Sequence, residues 1–198
     1  MEVFGELDAN KIIKQLENWG GICLSNFIPL RYRETLLSEL KTRNWEQAEA
    51  VYGKFSTKQA FARVNTFHRD SSFFAFQFLL AQKLREKLGD MRQGALRSPL
   101  HFNDLVAQRY LPGTFGITPH MDGKRYINLI AIAVLEGEGD FYLCHNREGD
   151  GKHVISNKAG DLILMRAMGF LGEETRPFHG VGEIYSTRTT FTLRQEKT

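Results

Sequence analysis

The chain has 198 residues, of which 42% are hydrophobic and 12% aromatic, and this is enough for the core of one domain, 1–198. No apolar run approaches the roughly 20 residues that a membrane helix needs, and the N-terminus carries no export signal. The two cysteines, Cys23 and Cys144, lie far apart in the sequence. We therefore expect a cytoplasmic protein with reduced thiols and without a membrane partner.

The net charge of +3 is distributed unevenly along the chain. Between residues 31 and 97 there are 13 Lys or Arg and 7 Asp or Glu, an excess of 13 − 7 = 6. Such a basic segment can meet a phosphate-bearing substrate, nucleic acid included. Solvated helix faces are the simpler interpretation, because charged side chains are common on protein surfaces.

Residues 1–100 are predicted to be mainly helical support. A first helix has Asp8 as its cap, ends at Gly20, and repeats apolar residues at helical spacing. A short strand is predicted at 22–25, and two further helices follow it. The apolar positions are Ile12, Ile13, Leu16 and Trp19 in the first helix, Tyr32, Leu36, Leu37 and Leu40 in the second, and Phe76, Leu79, Leu80, Leu84 and Leu88 in the third, which ends at Gly89.

Residues 101–198 are predicted to form strands, since glycine and proline divide this region into runs of strand length. Eight short strands suit a jelly roll of two facing sheets. The predicted fold class is therefore α+β, a jelly roll of about eight strands with the N-terminal helices packed on it. The runs lie at 105–110, 116–121, 126–135, 140–145, 152–156, 161–166, 178–181 and 187–194.

The sequence His120-Met121-Asp122, with His179 57 residues after Asp122, is typical of a metal site. Residues two apart on a strand project from the same face, so His120 and Asp122 can bind one ion together. Two imidazoles and one carboxylate occupy one face of an octahedral ion and leave the other face open, as in non-haem Fe(II) oxygenases. Gly180, next to His179, is expected to give room for a close approach to the ion.

A strand-like run from Arg188 to Arg194 follows the third ligand within ten residues. Arg188, Thr190, Thr192 and Arg194 alternate with mostly apolar residues, so one face of the strand is polar and cationic. A buried arginine is costly unless it is paired, and a bound dicarboxylate would supply the pairing.

These motifs resemble the Fe(II)/2-oxoglutarate-dependent oxygenases over approximately residues 105–195. The spacing Arg188-x5-Arg194-Gln195 and the stretch 108–113 look most like the AlkB-type dioxygenases, while Arg188-Thr189-Thr190 also matches the Arg-x-Ser/Thr anchor of other members. The resemblance implies a double-stranded β-helix that uses Fe(II), 2-oxoglutarate as cosubstrate, and O2.

The resemblance also implies a role for each site residue. His120, Asp122 and His179 would hold Fe(II). Arg188 would bind the distal carboxylate of 2-oxoglutarate with help from the Thr190 hydroxyl, and Arg194 would lie nearer the metal-bound end. The remaining cosubstrate contacts would come from Tyr110 and from Gln108, where the family usually has Asn.

Three substrate hypotheses remain open. The first is hydroxylation of a C–H bond in a small molecule or amino acid, with release of succinate and CO2. The alternative is AlkB-like oxidative dealkylation of nucleic acid, which needs an aromatic wall for a flipped base. The third is an inactive jelly-roll binding module, which the complete ligand set and anchor disfavour. Candidates for the aromatic wall are Phe67, His68, Phe73 and Phe74, which could equally be core.

Overall fold

A computed structural model describes residues 4–89 and 95–197. Its helices are α1 (Ala9–Trp19), α2 (Leu30–Leu40) and α3 (Ser72–Leu88). The strands before residue 100 are short: β1 (Gly21–Leu24), β2 (Glu46–Gln47), β3 (Val51–Tyr52), β4 (Thr57–Lys58) and β5 (Ala62–Val64). The later strands are β6 (Asp104–Tyr110), β7 (Ile117–His120), β8 (Tyr126–Glu136), β9 (Gly139–Cys144), β10 (His153–Ile155), β11 (Leu162–Arg166), β12 (Phe178–Ile184) and β13 (Arg188–Glu196).

The strands form two facing antiparallel sheets and a small hairpin. The large sheet has the order β1-β11-β8-β13-β6-β5-β2, the small sheet has the order β10-β9-β12-β7, and β3 pairs with β4. Strands β6 to β13 correspond to the eight predicted runs, so the predicted jelly roll is confirmed.

The large sheet is buried on both faces. Along β8, alternate residues belong to two different hydrophobic clusters. Leu129, Ala131 and Ala133 face the cluster that contains the apolar residues of the three helices. Ile130 and Ile132 face the cluster between the two sheets. The sheet therefore separates a helical support layer from the interior of the jelly roll.

Local signals in the sequence set the helix ends. The Asp8 carboxylate accepts a hydrogen bond from the Lys11 amide at 3.0 Å, and Gly20 ends α1 in the left-handed conformation. Glu39 of α2 accepts hydrogen bonds from the Ser71 hydroxyl at 2.6 Å and the Ser72 amide at 3.0 Å, which ties α2 to the start of α3. All three predicted helices are confirmed.

The prediction of mainly helical support for residues 1–100 is incomplete. The strand predicted at 22–25 is present as β1 at one edge of the large sheet, but the region also contributes β5 and β2 at the other edge and the β3–β4 hairpin. The missed strands have two or three residues each, too few to show the alternation that identifies a strand. No helix within 4–89 and 95–197 is long and apolar enough to cross a membrane.

Candidate metal centre

The predicted ligands come together at one end of the small sheet. His120 on β7 is the direct cross-strand partner of His179 on β12. Their ring centroids are 4.3 Å apart. One ligand atom from each of His120, Asp122 and His179 lies within 4.8 Å of the others, so a single ion can contact all three. The sequence had suggested that His120 and Asp122 lie on one strand. Strand β7 instead ends at His120, so Asp122 reaches the site from the segment that follows the strand.

Backbone carbonyls orient both imidazoles. The Nδ1 atom of His120 donates to the Thr118 carbonyl at 3.0 Å, and the Nδ1 atom of His179 donates to the Pro177 carbonyl at 3.4 Å. A ring whose Nδ1 carries the proton presents an unprotonated Nε2 to the centre. This is the usual way in which outer hydrogen bonds prepare a histidine to bind a metal.

Burial keeps the imidazoles neutral. Burial, together with repulsion from His120, lowers the pKa of His179 to about 3. Burial also lowers the pKa of His120. For Asp122, burial acts to raise the pKa, but electrostatic interactions, of which that with Arg194 is the largest, outweigh it and the net change is downward. Neutral imidazoles and an ionised carboxylate are the protonation states that metal ligation requires.

Arg188 lies in the interior of the jelly roll, at the opposite end from the candidate metal ligands. Arg188 is only 1% exposed. Its Nη2 atom donates a hydrogen bond to the side-chain oxygen of Asn157 at 3.2 Å. Among the described residues, no carboxylate forms an ion pair with Arg188, and its Nε has no hydrogen-bond partner. A buried guanidinium in this condition lacks the anion that would offset its desolvation.

One cavity joins the ligands to Arg188. It contains about 410 Å³ of space between the atoms, part of which is open to solvent. All eight residues predicted from the sequence line it, together with apolar neighbours from both sheets. The predicted residues are Gln108, Tyr110, His120, Asp122, His179, Arg188, Thr190 and Arg194.

The register of the large sheet explains why four of these residues meet. Tyr110 lies directly opposite Arg188, and Gln108 lies directly opposite Thr190, on the paired strands β6 and β13. Opposite residues of an antiparallel pair share one face. Gln108 donates to the Tyr110 hydroxyl at 3.3 Å. Burial raises the pKa of Tyr110 to about 12, so its phenol stays neutral and can donate a hydrogen bond.

Arg194 lies at the metal end of the cavity. Its Nη1 donates to Asp104 at 2.8 Å and to the Tyr126 hydroxyl at 3.2 Å. Its Nε is 3.7 Å from the Asp122 carboxylate. Arg194 is therefore next to one of the three candidate metal ligands.

Two contacts at the centre had no signal in the sequence. Arg176 donates from Nη1 to the backbone carbonyl of Asp122, and Asn157 receives the hydrogen bond from Arg188. Gly180 has a different role from the one expected. A Cβ there would overlap the Tyr142 ring and the Ile117 carbonyl, so the glycine makes room for these groups.

The aromatic residues considered for base stacking belong mostly to the core. Phe73 is completely buried, and its ring centroid lies 4.6 Å from that of Phe67 and 4.7 Å from that of Phe191. Phe74 packs against the same cluster. These rings support the large sheet from its helical side and do not face the metal centre.

No family model and no curated protein matches this chain. Solved structures, in contrast, match almost its full length. A prolyl-4-hydroxylase from Pseudomonas putida has a TM-score of 0.64 at 15% identity and covers 96% of this chain and 100% of its own. A 2OG-Fe(II) oxygenase family oxidoreductase from Burkholderia pseudomallei has a TM-score of 0.63 at 16% identity, with coverages of 96% and 91%.

The chain has the fold of the 2OG-Fe(II) oxygenases. HygX from Streptomyces hygroscopicus, solved with nickel and 2-oxoglutarate bound, shares this fold with a TM-score of 0.62 at 11% identity, and the match covers 97% of this chain and 88% of that one. At these identities the likeness concerns the fold. The residues of the cavity determine which chemistry the site can support.

Proposed function

We propose that this protein is an Fe(II)- and 2-oxoglutarate-dependent dioxygenase that hydroxylates a C–H bond of a small molecule or amino acid. One observation carries the proposal: a guanidinium without a carboxylate partner in the described structure lies in the same cavity as two neutral imidazoles and a carboxylate. The buried guanidinium requires an anion, and the set of two imidazoles and one carboxylate requires a metal ion. A dicarboxylate that also chelates the metal satisfies both.

The residues of the cavity fit the two absent groups. The donor set of two nitrogens and one oxygen suits Fe(II) and leaves coordination positions open. Arg188 presents a planar fork that matches a carboxylate, and Thr190 lies on the same face two residues along β13. Tyr110 and Gln108 supply polar groups beside Arg188. Arg194 lies where it can contact the metal-bound end of the cosubstrate.

When bound, iron, 2-oxoglutarate and O2 together supply oxygen insertion into a C–H bond, with release of succinate and CO2. The protein holds and orients these groups and excludes bulk water from them. Family members that halogenate have a small residue at the position of Asp122. A carboxylate there therefore favours hydroxylation.

A small substrate is preferred to nucleic acid for two reasons. The fold is shared with the prolyl-4-hydroxylase of P. putida, whose name denotes hydroxylation of a prolyl residue and not of a nucleobase. The rings that were candidates for a base-stacking wall, Phe67 and Phe73, pack in the core. Phe67 and Phe73 are therefore not available as the base-stacking wall that the AlkB-like hypothesis needs.

Oxygen-dependent conversion of 2-oxoglutarate to succinate tests the proposal. Protein loaded with Fe(II) should release succinate slowly without substrate and faster with the correct metabolite or amino acid in a screen. His179→Ala should abolish both rates, whereas His153→Ala, an exposed imidazole stacked on Trp19, should leave them unchanged. Succinate release that persists in His179→Ala would contradict the proposal.

A further inference from the structure

The β3–β4 hairpin forms one side of the entrance to the metal centre. It is hydrogen-bonded to the strand that carries His120: the Lys58 amide donates to the Thr118 hydroxyl at 3.0 Å, and the Ala60 amide donates to the Gly116 carbonyl at 2.8 Å. The hairpin is thereby fixed beside β7. Its two large side chains, Tyr52 and Phe55, remain exposed.

An open cleft extends from this hairpin down to the triad, with about 1060 Å³ of empty space. Its described lining includes four arginines but, apart from the metal ligand Asp122, no carboxylate. A cleft lined by one sign of charge attracts ligands of the opposite sign. The arginines are Arg63, Arg125, Arg147 and Arg194.

Two of the four arginines already have a carboxylate partner at hydrogen-bonding distance. Arg125 pairs with Glu196 at 3.2 Å, and Arg194 pairs with Asp104 at 2.8 Å. Arg63 has only a distant contact with Glu46, at 4.0 Å, between two exposed side chains. Such surface pairs contribute little.

Arg147 has no ion-pair partner among the described residues. Its guanidinium carbon lies 4.2 Å from the centroid of the Phe55 ring and 5.6 Å from that of Phe178. Contacts with ring faces hold the guanidinium in place while they leave its N–H donors available. Arg147 is therefore a positioned donor fork at the cleft, and Phe55 at the hairpin tip covers one side of it.

Arg147 lies close to the candidate metal centre. Arg147 lines the same cleft as the candidate ligands His120 and Asp122, and its guanidinium carbon is 5.6 Å from the ring of Phe178, the chain neighbour of the third ligand. A group bound by Arg147 is thus held in the cleft that reaches the triad. This is the place where a substrate must lie for its C–H bond to face the metal.

We propose that the substrate is a small molecule with an anionic group, a carboxylate or a phosphate, and that Arg147 binds this group and so determines specificity. The inference rests on the proposed function, whose cosubstrate would occupy the adjoining cavity that extends from the metal ligands to Arg188. A small acid fits better than a polyanion, because three of the four arginines in the described lining of the cleft already face a carboxylate within 4.0 Å.

Inorganic phosphate is a minimal probe for this site. Under anaerobic conditions, protein saturated with Fe(II) and 2-oxoglutarate is mixed with phosphate, and the ³¹P relaxation rate is measured. Phosphate bound at Arg147 lies near a paramagnetic ion and should relax faster. Arg147→Gln should remove most of this enhancement, and Arg147→Lys should restore part of it.

The matched control is Lys124→Gln, which removes one exposed charge near the cleft without changing its lining and should behave like the parent protein.

The visible absorption band of iron-bound 2-oxoglutarate is recorded in the same samples. If the band never forms, the proposed function fails, and the substrate assignment fails with it. If the band forms and persists but phosphate shows no enhancement, or Arg147→Gln retains it, the substrate assignment alone is wrong.

Competition identifies the anionic group. Acetate and methyl phosphate are titrated against the enhanced relaxation, and the stronger competitor indicates whether the natural group is a carboxylate or a phosphate. A short oligonucleotide that competes far better than methyl phosphate, with a steep dependence on salt, would overturn the small-molecule assignment. For a true substrate, Arg147→Gln should raise KM by about tenfold or more, as expected for loss of a charge-assisted contact, whereas the control Lys124→Gln should leave KM unchanged.

Discussion

Asn157 holds Arg188 at the end of the cavity through an amide that is itself fixed. Its side-chain nitrogen donates to the Gly139 carbonyl at 3.1 Å and to the Ile155 carbonyl at 2.9 Å, so its oxygen points at the Arg188 guanidinium, 3.2 Å away. Because Asn157 is neutral, it orients the arginine without neutralising it. The positive charge remains available for a carboxylate of the cosubstrate.

Asn157→Asp would supply the carboxylate that Arg188 lacks among the described residues. We expect this variant to bind 2-oxoglutarate about tenfold more weakly or worse, since an internal ion pair would compete with the cosubstrate. Asn157→Ala, which removes the orienting contact but adds no charge, should have a smaller effect. Isothermal titration of the Fe(II)-loaded variants measures both affinities, and thermal unfolding checks that each variant is folded. Equal losses in the two variants would contradict the role of charge.

Arg188→Ala should weaken 2-oxoglutarate binding by about 10- to 100-fold, the range expected for hydrogen bonds to a charged group. Iron binding should change little, because His120, Asp122 and His179 stay in place. Arg188→Lys should restore affinity only in part, since an ammonium cannot make the bidentate contact. Separate titrations with Fe(II) and with 2-oxoglutarate measure the two effects. Normal cosubstrate affinity in Arg188→Ala would show that another residue anchors the cosubstrate, with Arg194 as the next candidate.

Phe191 joins the large sheet to the helices. It is completely buried, and its ring contacts those of Phe67, Phe73 and Phe76. Phe191→Ala should lower the free energy of unfolding by about 3–5 kcal/mol, through lost burial and the cavity that remains. Leu111→Ala, at a side chain that is 56% exposed, should change it by less than about 0.5 kcal/mol. Denaturant unfolding compares the two variants, and similar values would refute this packing role.

Cys23 should react slowly with alkylating reagents in the native protein. Burial, with the nearby Asp161 carboxylate, raises the pKa of the Cys23 thiol to about 12. The reactive thiolate is therefore scarce at neutral pH and increases only as the pH approaches that value. Iodoacetamide labelling at several pH values, followed by mass spectrometry, measures the rate. The denatured protein serves as the control, and equally fast labelling of the native chain at pH 7 would show that the thiol is not protected.

Much of the fold was predictable because its signals are local or periodic. The Asp8 cap and the Gly20 terminus lie within the sequence of α1, and the eight runs after residue 100 each have the length of a strand. The short strands β2 to β5 could not be predicted in this way. Their pairing depends on β6 and on one another, and two residues show no period.

The same distinction applies to the residues of the site: some follow a recognisable spacing in the sequence and others do not. The ligands and Arg188 follow a spacing that carries chemical meaning, and the sheet register brings them together. Asn157 and Arg147 lie in connections between strands, where no spacing links them to the centre. Their roles depend on which direction a side chain takes in three dimensions. The same is true of Phe73, which sequence alone could assign to either a binding wall or the core.

The central claim is that one iron ion and one 2-oxoglutarate bind together at this site. The most direct measurement is an anaerobic titration with Fe(II) and then 2-oxoglutarate, followed by visible absorption. We predict about one Fe(II) per chain and a weak charge-transfer band that appears only when both are present. The band should be lost in His120→Ala and His179→Ala and retained in His153→Ala. Failure of the parent protein to form the band, or its persistence in either ligand variant, would contradict the account.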